Sequence, residues 1–406
     1  MRAASRVLLR AKKRARGSNA AAEYGTVARP AQARAQGRKG PRMPQVQPRL
    51  ILLGPQRNAI TVAEELESLG AFGKVALITA GWQEREDDDG NLQTAIGHRG
   101  VNLYLHRRTD AVFTEDRELF AAHRKRQDQL RLLRDLYNVR LDAYISAAKA
   151  LFHHSPHAAP LAYRTYAAST AQFAARMGDE ADDAQDHEAM LAVLRDDAVR
   201  TLRELDTHHL KLIADIHDRF EAGVRPHERK VLREAREELG AIIDGCDAVA
   251  IAGGHVATLL GRMRLLDIAS HLKDKPVIAW SAGAMVLTDR VVLFHDRPPE
   301  GPGNAEVLDI GLGMAPDVVA LPHATKRLAL DDMPRMAMLA QRFSPALCLA
   351  LDPYARARWD GESWKLDSGT WCIDESGRLA SKEVADQLDP NSWVKGATGV
   401  AGSIEQ

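Results

Sequence analysis

A serine at the end of a short apolar run is the first residue of this sequence that suggests chemistry. Residues 277–287 read VIAWSAGAMVL, so Ser281 follows four apolar residues and precedes Ala282 and Gly283. The pattern A-W-S-A-G approaches the G-x-S-x-G turn, which joins a strand to a helix and holds a nucleophilic serine in a strained backbone. That turn needs small residues on both sides of the serine, and Ala279 occupies the first small position. A serine that only caps a helix gives the same local pattern.

A serine nucleophile needs a base, and two histidines follow it. His295 and His323 lie 14 and 42 residues after Ser281. His323 ends the apolar run VVALPH, and sites in parallel sheets gather at the carboxyl ends of strands, which favours His323 as the base. Asp296, 15 residues after the serine, is the carboxylate that we expect to orient the histidine and to stabilise its protonated form. A polar loop residue is the alternative interpretation for each of them.

Two turns are expected to supply backbone N–H groups to a developing oxyanion. The N–H of Ala282 lies at the start of the helix predicted after the serine, where helix N-termini favour negative charge. The apolar run DAVAIAGG ends in Gly253 and Gly254, and paired glycines allow the backbone to approach a ligand closely. We therefore expect the N–H of Gly253 or Gly254 to act together with that of Ala282. On its own, a Gly-Gly pair indicates only a turn.

Four short segments, taken in chain order, resemble the dipeptidase E and cyanophycinase family of serine peptidases. They are GGHVATLL (253–260), IAWSAGA (278–284), HD (295–296) and LPH (321–323). The resemblance implies a class I glutamine amidotransferase-like fold over roughly 50–106 and 245–375. It gives the triad positions to Ser281, His323 and Asp296, and the oxyanion positions to Gly254 and Ala282.

The sequence departs from the family pattern at two positions near the serine. His255 stands where the family has Asn, and Ala279 stands where it has Gly. The resemblance therefore implies the reaction but not the substrate. The residues that we expect near a substrate, including two arginines for a carboxylate group, are Gly253, His255, Trp280, Arg57 and Arg327.

Apolar runs that alternate with helical patterns predict an α/β fold with a mostly parallel sheet, flanked by helices in flavodoxin-like layers. The predicted strands lie at 49–54, 74–81, 101–106, 247–254, 276–281, 291–294, 318–323, 346–352, 363–366 and 370–374. Predicted helices of the α/β part lie at 59–73, 256–272 and 324–343.

A large helical insertion interrupts this alternation. Long amphipathic patterns cover 119–152 and 190–220, and the acidic stretch 178–188 between them is predicted to be a solvated linker or a capping region. We expect the insertion to serve in packing, as a lid, or as a surface through which copies of the chain associate. The predicted division is a basic tail (1–48), the first part of the α/β domain (49–113), the insertion (114–245), the second part with the serine turn (246–390) and a tail (391–406).

The composition excludes several classes of protein. The chain has 55 Lys and Arg against 55 Asp and Glu, so its charge does not point to a nucleic-acid or membrane partner. No apolar run approaches the roughly 18–20 residues that span a bilayer. The cysteines, Cys246, Cys348 and Cys372, are distant from one another and form no CxxC pair, which fits a reducing cytoplasm and argues against a zinc site. We expect no metal and no cofactor.

The first 49 residues differ from the rest in charge, with thirteen Lys or Arg against the single acid Glu23. Three interpretations remain open. The segment is a disordered tail that touches nucleic acid, an Arg-rich transit peptide, or an extension upstream of a true start at Met43. All three exclude it from the fold.

The functional prediction is a serine hydrolase, a peptidase that cleaves a small peptide or isopeptide. Glutamine amidotransferases need a cysteine where Ser281 stands. In α/β-hydrolases the acid and the histidine lie much further from the serine than they do here. The alternative is a catalytically silent amidotransferase-like scaffold whose helical insertion binds a partner.

Overall fold

The computed structural model describes residues 50–57, 60–154, 180–294, 303–367 and 369–380. The predictions for His295, Asp296 and the segments 1–48 and 391–406 concern residues outside these ranges. Within them the strands, numbered along the chain, are β1 (Leu50–Leu53), β2 (Val75–Ile78), β3 (Gly100–Asn102), β4 (Ala248–Ile251), β5 (Val277–Trp280), β6 (Arg290–Leu293), β7 (Glu306–Ile310), β8 (Val318–Pro322), β9 (Leu347–Leu351), β10 (Arg356–Trp359), β11 (Trp364–Leu366), β12 (Trp371–Ile373) and β13 (Leu379–Ala380).

The helices of the described residues are numbered in the same way, and two short 3₁₀ helices, Ala80–Arg85 and Pro226–Glu228, accompany them. The α-helices are α1 (Val62–Ser68), α2 (Gly90–Ala95), α3 (Leu105–Glu115), α4 (Arg117–Phe152), α5 (Glu180–Val224), α6 (Lys230–Asp244), α7 (Val256–Leu265), α8 (Ile268–Leu272), α9 (Ala282–Leu287), α10 (Ala324–Arg327) and α11 (Met333–Phe343).

The central sheet has the strand order β11-β10-β1-β5-β4-β2-β3, and the strands from β1 to β3 in that order run parallel. Strands β1, β2, β4 and β5 are buried along their whole length. Strands covered on both faces have continuous apolar sequences, which explains why these runs are recognisable in the sequence. The protein is therefore a mixed α/β protein with a mostly parallel central sheet and a large helical content, as predicted.

Alternate residues of the central strands face two different hydrophobic cores, because successive side chains of a strand point to opposite faces. Leu52 and Ala279 belong to the larger core, which extends to the long helices. Ile51 and Ile278 belong to a smaller core that α1 and α2 cover. The sheet thus separates two layers of helices.

An antiparallel edge closes the sheet beside β1. Strand β10, with the sequence RARW, pairs with β1, and β11 pairs with β10. Arg358 donates from Nη2 to Glu65 Oε2 at 2.6 Å, and the Glu65 carboxylate is buried on α1. The local sequence does not predict β10, because its arginines pair with Glu65, which lies almost 300 residues away in the sequence.

His323 follows a strand of a second sheet, not of the central one. This sheet has the order β13-β12-β9-β8, in which β8 and β9 are parallel, and β6 and β7 form a separate antiparallel pair. The prediction that the strands before Ser281 and His323 belong to one sheet is therefore wrong. Alternation of strands and helices along the chain does not reveal where one sheet stops and another begins.

The long helices α4 and α5 pack against each other, and their ends differ from the prediction. Helix α5 begins at Glu180, so most of the acidic stretch 178–188 is helical. Of the two alternatives predicted for it, the linker is wrong, because the stretch forms the N-terminal part of α5. Acidic residues at a helix N-terminus are favourable, which is a physical reason for α5 to start earlier than predicted.

The predicted helix 256–272 is divided into α7 and α8 at Asp267, which adopts a left-handed conformation with φ 51°.

A buried polar cluster joins α4 and α5 to α11. Arg342 donates to both carboxylate oxygens of Asp206 at 2.7 Å, and Tyr137 Oη donates to Asp206 Oδ1 at 2.8 Å. Arg342 also donates to the Ala305 carbonyl at 2.7 Å. Buried charges are tolerated when they are paired and hydrogen-bonded in this way. The cluster therefore fixes the long helices relative to the second sheet's flanking helix.

Within the described ranges, no helix combines the length and the apolar composition needed to cross a membrane. The His, Cys, Asp and Glu side chains described there form no group of three that could hold a metal ion. Cys246, Cys348 and Cys372 are buried and form no disulfide among the described residues. Burial raises the pKa of the Cys348 thiol to about 12, so it is not a reactive thiolate near neutral pH.

Candidate active site

Ser281 lies in a strained turn between β5 and α9. Its backbone has φ 52° and ψ −122°, a combination that residues other than glycine rarely adopt. The turn follows the carboxyl end of β5, which lies between β1 and β4 in the central sheet. Strained residues of this kind cluster at functional sites, and the strain persists only where the surroundings enforce it.

The small residues around Ser281 have identifiable steric reasons. Ala279 is fully buried and pairs with Leu52 on one side and Ile251 on the other. A Cβ added to Gly283 would lie 2.4 Å from the Ile251 carbonyl oxygen, so only glycine fits there. Gly283, the last residue of the A-W-S-A-G pattern, thus packs directly against the end of β4, and this contact holds the serine turn in place.

The Gly253–Gly254 loop touches the serine turn. A Cβ on Gly253 would lie 2.6 Å from the Ser281 Cβ and 3.3 Å from the Ala282 nitrogen. Gly254 has φ +123°, and a Cβ there would lie 2.3 Å from the Gly81 carbonyl oxygen. The backbones of Gly81, the glycine pair and the serine turn therefore stack directly on one another. The structure brings Gly253, Gly254 and Ala282, which are predicted to form an oxyanion hole, together beside Ser281.

His323 caps the end of β8 in a left-handed conformation, with φ 60° and ψ 37°. Its backbone N–H donates to the Leu351 carbonyl at 3.0 Å, which fixes the turn to the neighbouring strand β9. Burial, together with the positive charges of Arg327 and Lys326, lowers the pKa of His323 against the opposing effect of Asp352. The imidazole is therefore neutral near pH 7 and able to accept a proton.

Asp352 is a carboxylate beside His323 that the sequence analysis missed. It follows β9, and its Oδ1 accepts a hydrogen bond from Thr325 Oγ1 at 2.9 Å, while the Thr325 N–H lies 3.2 Å from both carboxylate oxygens. Its negative charge favours the protonated imidazole and so opposes the net lowering of the His323 pKa. The signal that could have found it is its position at the end of the run ALCLALD, since β9 is the parallel neighbour of β8.

One cleft of about 1280 Å³ contains most of the predicted site residues. Those that line it are Arg57, Gly253, Gly254, Trp280, Ser281, Ala282, His323 and Arg327. No hydrogen bond between the Ser281 hydroxyl and the His323 ring exists among the described side chains. Catalytic hydrogen bonds are often long in the absence of substrate, and the segment that carries Asp296 lies outside the described ranges.

The two arginines that were expected near a substrate differ in exposure. Arg327 is half-buried, burial lowers its pKa, and its guanidinium forms no hydrogen bond or ion pair with the described residues. Arg57 is exposed at the rim of the cleft. A desolvated guanidinium without a protein carboxylate is available to a carboxylate group of a ligand.

His255 is the predicted site residue that the structure places elsewhere. Its Nδ1 accepts a hydrogen bond from the Thr258 N–H at 3.2 Å and thereby caps α7. The side chain lines a second, smaller cavity and not the cleft of Ser281.

Comparison with known proteins adds little at the level of sequence. No protein family matches the chain, and no curated protein matches it. Among solved structures, a peptidase from an acI-B1 Actinobacterium matches weakly, with a TM-score of 0.25 and 17% identity over 35% of this chain and 60% of that chain. The match spans less than two thirds of that peptidase, and at this TM-score it carries no argument about function.

Proposed function

We propose that the protein is a serine hydrolase that cleaves a small peptide or isopeptide, on a class I glutamine amidotransferase-like scaffold similar to that of the dipeptidase E and cyanophycinase family. The observation that carries this proposal is the backbone of Ser281, with φ 52° and ψ −122° in a strand-to-helix turn. A serine that only caps a helix has ordinary extended dihedral angles and needs no such strain. The strain is explained if the turn presents the hydroxyl group to the cleft.

The proposed reaction is acyl transfer in two steps. His323 removes the proton of Ser281 Oγ as this oxygen attacks the substrate carbonyl, and the N–H groups of Gly254 and Ala282 stabilise the resulting oxyanion. The protonated His323 then gives the proton to the leaving amine, and the acyl-enzyme forms. Water, activated by the same histidine, attacks the acyl-enzyme, releases the acid and restores Ser281. No cofactor enters this sequence.

Two carboxylates are candidates for orienting His323. Asp296 has the position that the family resemblance assigns to the acid. Asp352 lies beside His323 among the described residues, and its negative charge opposes the lowering of the His323 pKa. We assign the orienting role to Asp296 and infer that Asp352 positions the turn through Thr325, because both Asp352 oxygens are engaged there.

A substrate with a free carboxylate fits the cleft. Arg327 lines it with a guanidinium that has no ion pair among the described residues, and Arg57 adds a second positive charge at the rim. The cleft of about 1280 Å³ is larger than the ~300–1,000 Å³ typical of small-molecule sites. It therefore has room for a short peptide with its acidic end at Arg327.

The test is labelling by a fluorophosphonate probe, which reacts with activated serines. We expect the purified full chain to label, the Ser281→Ala variant to show no labelling above background, and the Ser270→Ala variant, which changes an exposed serine, to label like the wild type. A library of dipeptides and isopeptides with free carboxylates then identifies the bond that is cleaved. Equal labelling of wild type and Ser281→Ala would contradict the hydrolase and support the alternative, a catalytically silent scaffold.

A further inference from the structure

A second cavity, of about 360 Å³, lies where the long helices meet α7 and β7. It is separate from the cleft of Ser281, and none of the described residues lines both. Its lining contains five arginines and three histidines. These are Arg126, Arg131, Arg134, Arg262 and Arg264 with His123, His217 and His255. Burial and the neighbouring arginines lower the pKa of His123 to about 3, so this histidine is neutral.

Carboxylates pair with most of the arginines around this cavity, but not with Arg126. Arg134 binds Glu306, and Arg262 and Arg131 lie 3.4 Å and 3.5 Å from Asp110 and Asp128. Asp309 is the one carboxylate among the described lining residues, and Arg264 and His217 both bind it, at 3.1 Å each. Burial tends to raise the pKa of Asp309, but these two partners outweigh it and keep the group ionised. The Asp309 carboxylate is therefore already engaged by Arg264 and His217, and it forms no ion pair with Arg126.

Arg126 is the residue that most needs explanation. Its side chain is only 3% exposed, yet it forms no hydrogen bond or ion pair with the described residues, and its Nε has no partner there. The guanidinium carbon lies 3.9 Å from the centre of the Phe220 ring. Burial and the nearby Arg264 lower its pKa to about 10, so it remains positively charged at neutral pH. Glu221 and Asp309 oppose this lowering of the pKa through their charge, but neither forms a hydrogen bond or an ion pair with Arg126. A buried charge without a hydrogen-bonded counter-charge is unfavourable unless something else binds it.

Further donors with no partner surround the same cavity. Arg262 Nε and His217 Nδ1 are buried and unpaired within the described part of the chain. Buried polar groups are nearly always hydrogen-bonded, so several unpaired groups around one cavity indicate an absent partner. Planar guanidinium groups match the oxygens of phosphates and carboxylates.

We propose that this cavity binds a compact oxyanion with at least two negative charges, such as a phosphorylated small molecule or a polycarboxylate. Arg126 supplies the buried charge, Arg262 supplies a further donor, and Arg131 lies at the exposed side. The site does not depend on the proposed hydrolase activity, since it shares no lining residue with the cleft.

Binding by the full-length protein tests the site directly. Inorganic pyrophosphate and citrate serve as probes in separate titrations, followed by calorimetry and by thermal unfolding, with ionic strength held constant by sodium chloride. We expect saturable stabilisation by pyrophosphate, by citrate or by both, because a ligand that binds only the native state raises its stability with concentration. The two probes distinguish a phosphate preference from a carboxylate preference.

Four variants locate the bound anion. Arg126→Met removes the buried charge and keeps an unbranched apolar chain against Phe220, and we expect at least a tenfold loss of affinity without a lower unfolding temperature in the absence of ligand. Arg140→Met removes an exposed charge from the same helix and should bind as the wild type does. Arg327→Met removes a charge from the other cleft and should also bind normally. Arg131→Gln, at an exposed position, should weaken binding several-fold and cannot disturb the core.

Several results would overturn the proposal. Absence of saturable binding of either probe to the wild type contradicts it. Loss of binding in Arg327→Met but not in Arg126→Met or Arg131→Gln places the anion in the other cleft. Equal losses in Arg140→Met and Arg131→Gln mean that only the general surface charge is involved.

Discussion

Gly253 lies so close to Ser281 that a Cβ on the glycine would come within 2.6 Å of the Cβ of the serine. The distance is shorter than side chains tolerate, and the atom that it would meet is fixed by the strained turn. Ser281 and the Gly253–Gly254 loop therefore fit together only because residue 253 has no side chain. A hydrolase needs this arrangement, because the oxyanion forms on the carbonyl that the serine attacks.

Gly253→Ala should therefore reduce activity while leaving the fold largely intact. The added methyl group must push the glycine loop or the serine turn aside, and removal of a single oxyanion donor costs about 10²–10³ in kcat. We expect a loss of this order in probe labelling and in hydrolysis. Gly261→Ala is the matched control, since nothing lies within 4 Å of the added Cβ. Comparable loss in both variants would contradict the role of the loop.

Much of the fold follows from the sequence, for a definite physical reason. The runs LILL and VIAW are apolar throughout because both faces of the sheet are covered, so burial is visible in the residues themselves. The strand RARW gives no such signal, since its arginines depend on Glu65 of a distant helix. The local sequence pattern predicts strands and helices whose side chains face solvent or the hydrophobic core. It does not predict elements that depend on one particular residue far along the chain.

The same distinction applies to the sites. The small residues around Ser281 predict its strained turn from the sequence. The structure brings His323 and the glycine pair into the same cleft as Ser281. Asp352 is harder to find, because its nearness to His323 depends on the pairing of β8 with β9. The cavity around Arg126 leaves no motif, since its lining comes from four separate parts of the chain.

The pH dependence of the proposed reaction should reflect the environment of His323. Its pKa lies below the ordinary value, so the neutral base persists below pH 6.5, and kcat/KM should fall only at more acidic pH. Arg327→Met removes a positive charge that contributes to the lowering. We therefore expect the acidic limb of kcat/KM to move to higher pH, measured with an uncharged ester so that loss of carboxylate binding does not interfere. Lys273→Met, an exposed charge far from the cleft, is the control.

Asp352→Asn should move the same limb in the opposite direction. The Asp352 carboxylate raises the pKa of His323, so its removal lowers that pKa further. The amide can still accept a hydrogen bond from Thr325, which limits the structural change. Asp296→Asn should instead reduce kcat by orders of magnitude, as expected for the residue that orients the imidazole. If Asp352→Asn gives the large loss and Asp296→Asn does not, the two roles are reversed.

The buried cluster around Asp206 makes a prediction about stability and not about catalysis. Asp206→Ala leaves the Arg342 guanidinium buried without its carboxylate, although Tyr137 and the Ala305 carbonyl remain beside it. Removal of one partner of a buried ion pair costs about 3–5 kcal/mol, which is a large part of a typical stability of ~5–15 kcal/mol. We expect the free energy of unfolding in urea to fall by this amount, with an unchanged value for Asp218→Ala on the exposed side of the same helix. The double variant Asp206→Leu with Arg342→Met should recover most of the loss, because the unpaired charge is then gone. A single Asp206→Ala variant as stable as wild type would mean that the cluster does not hold the long helices to α11.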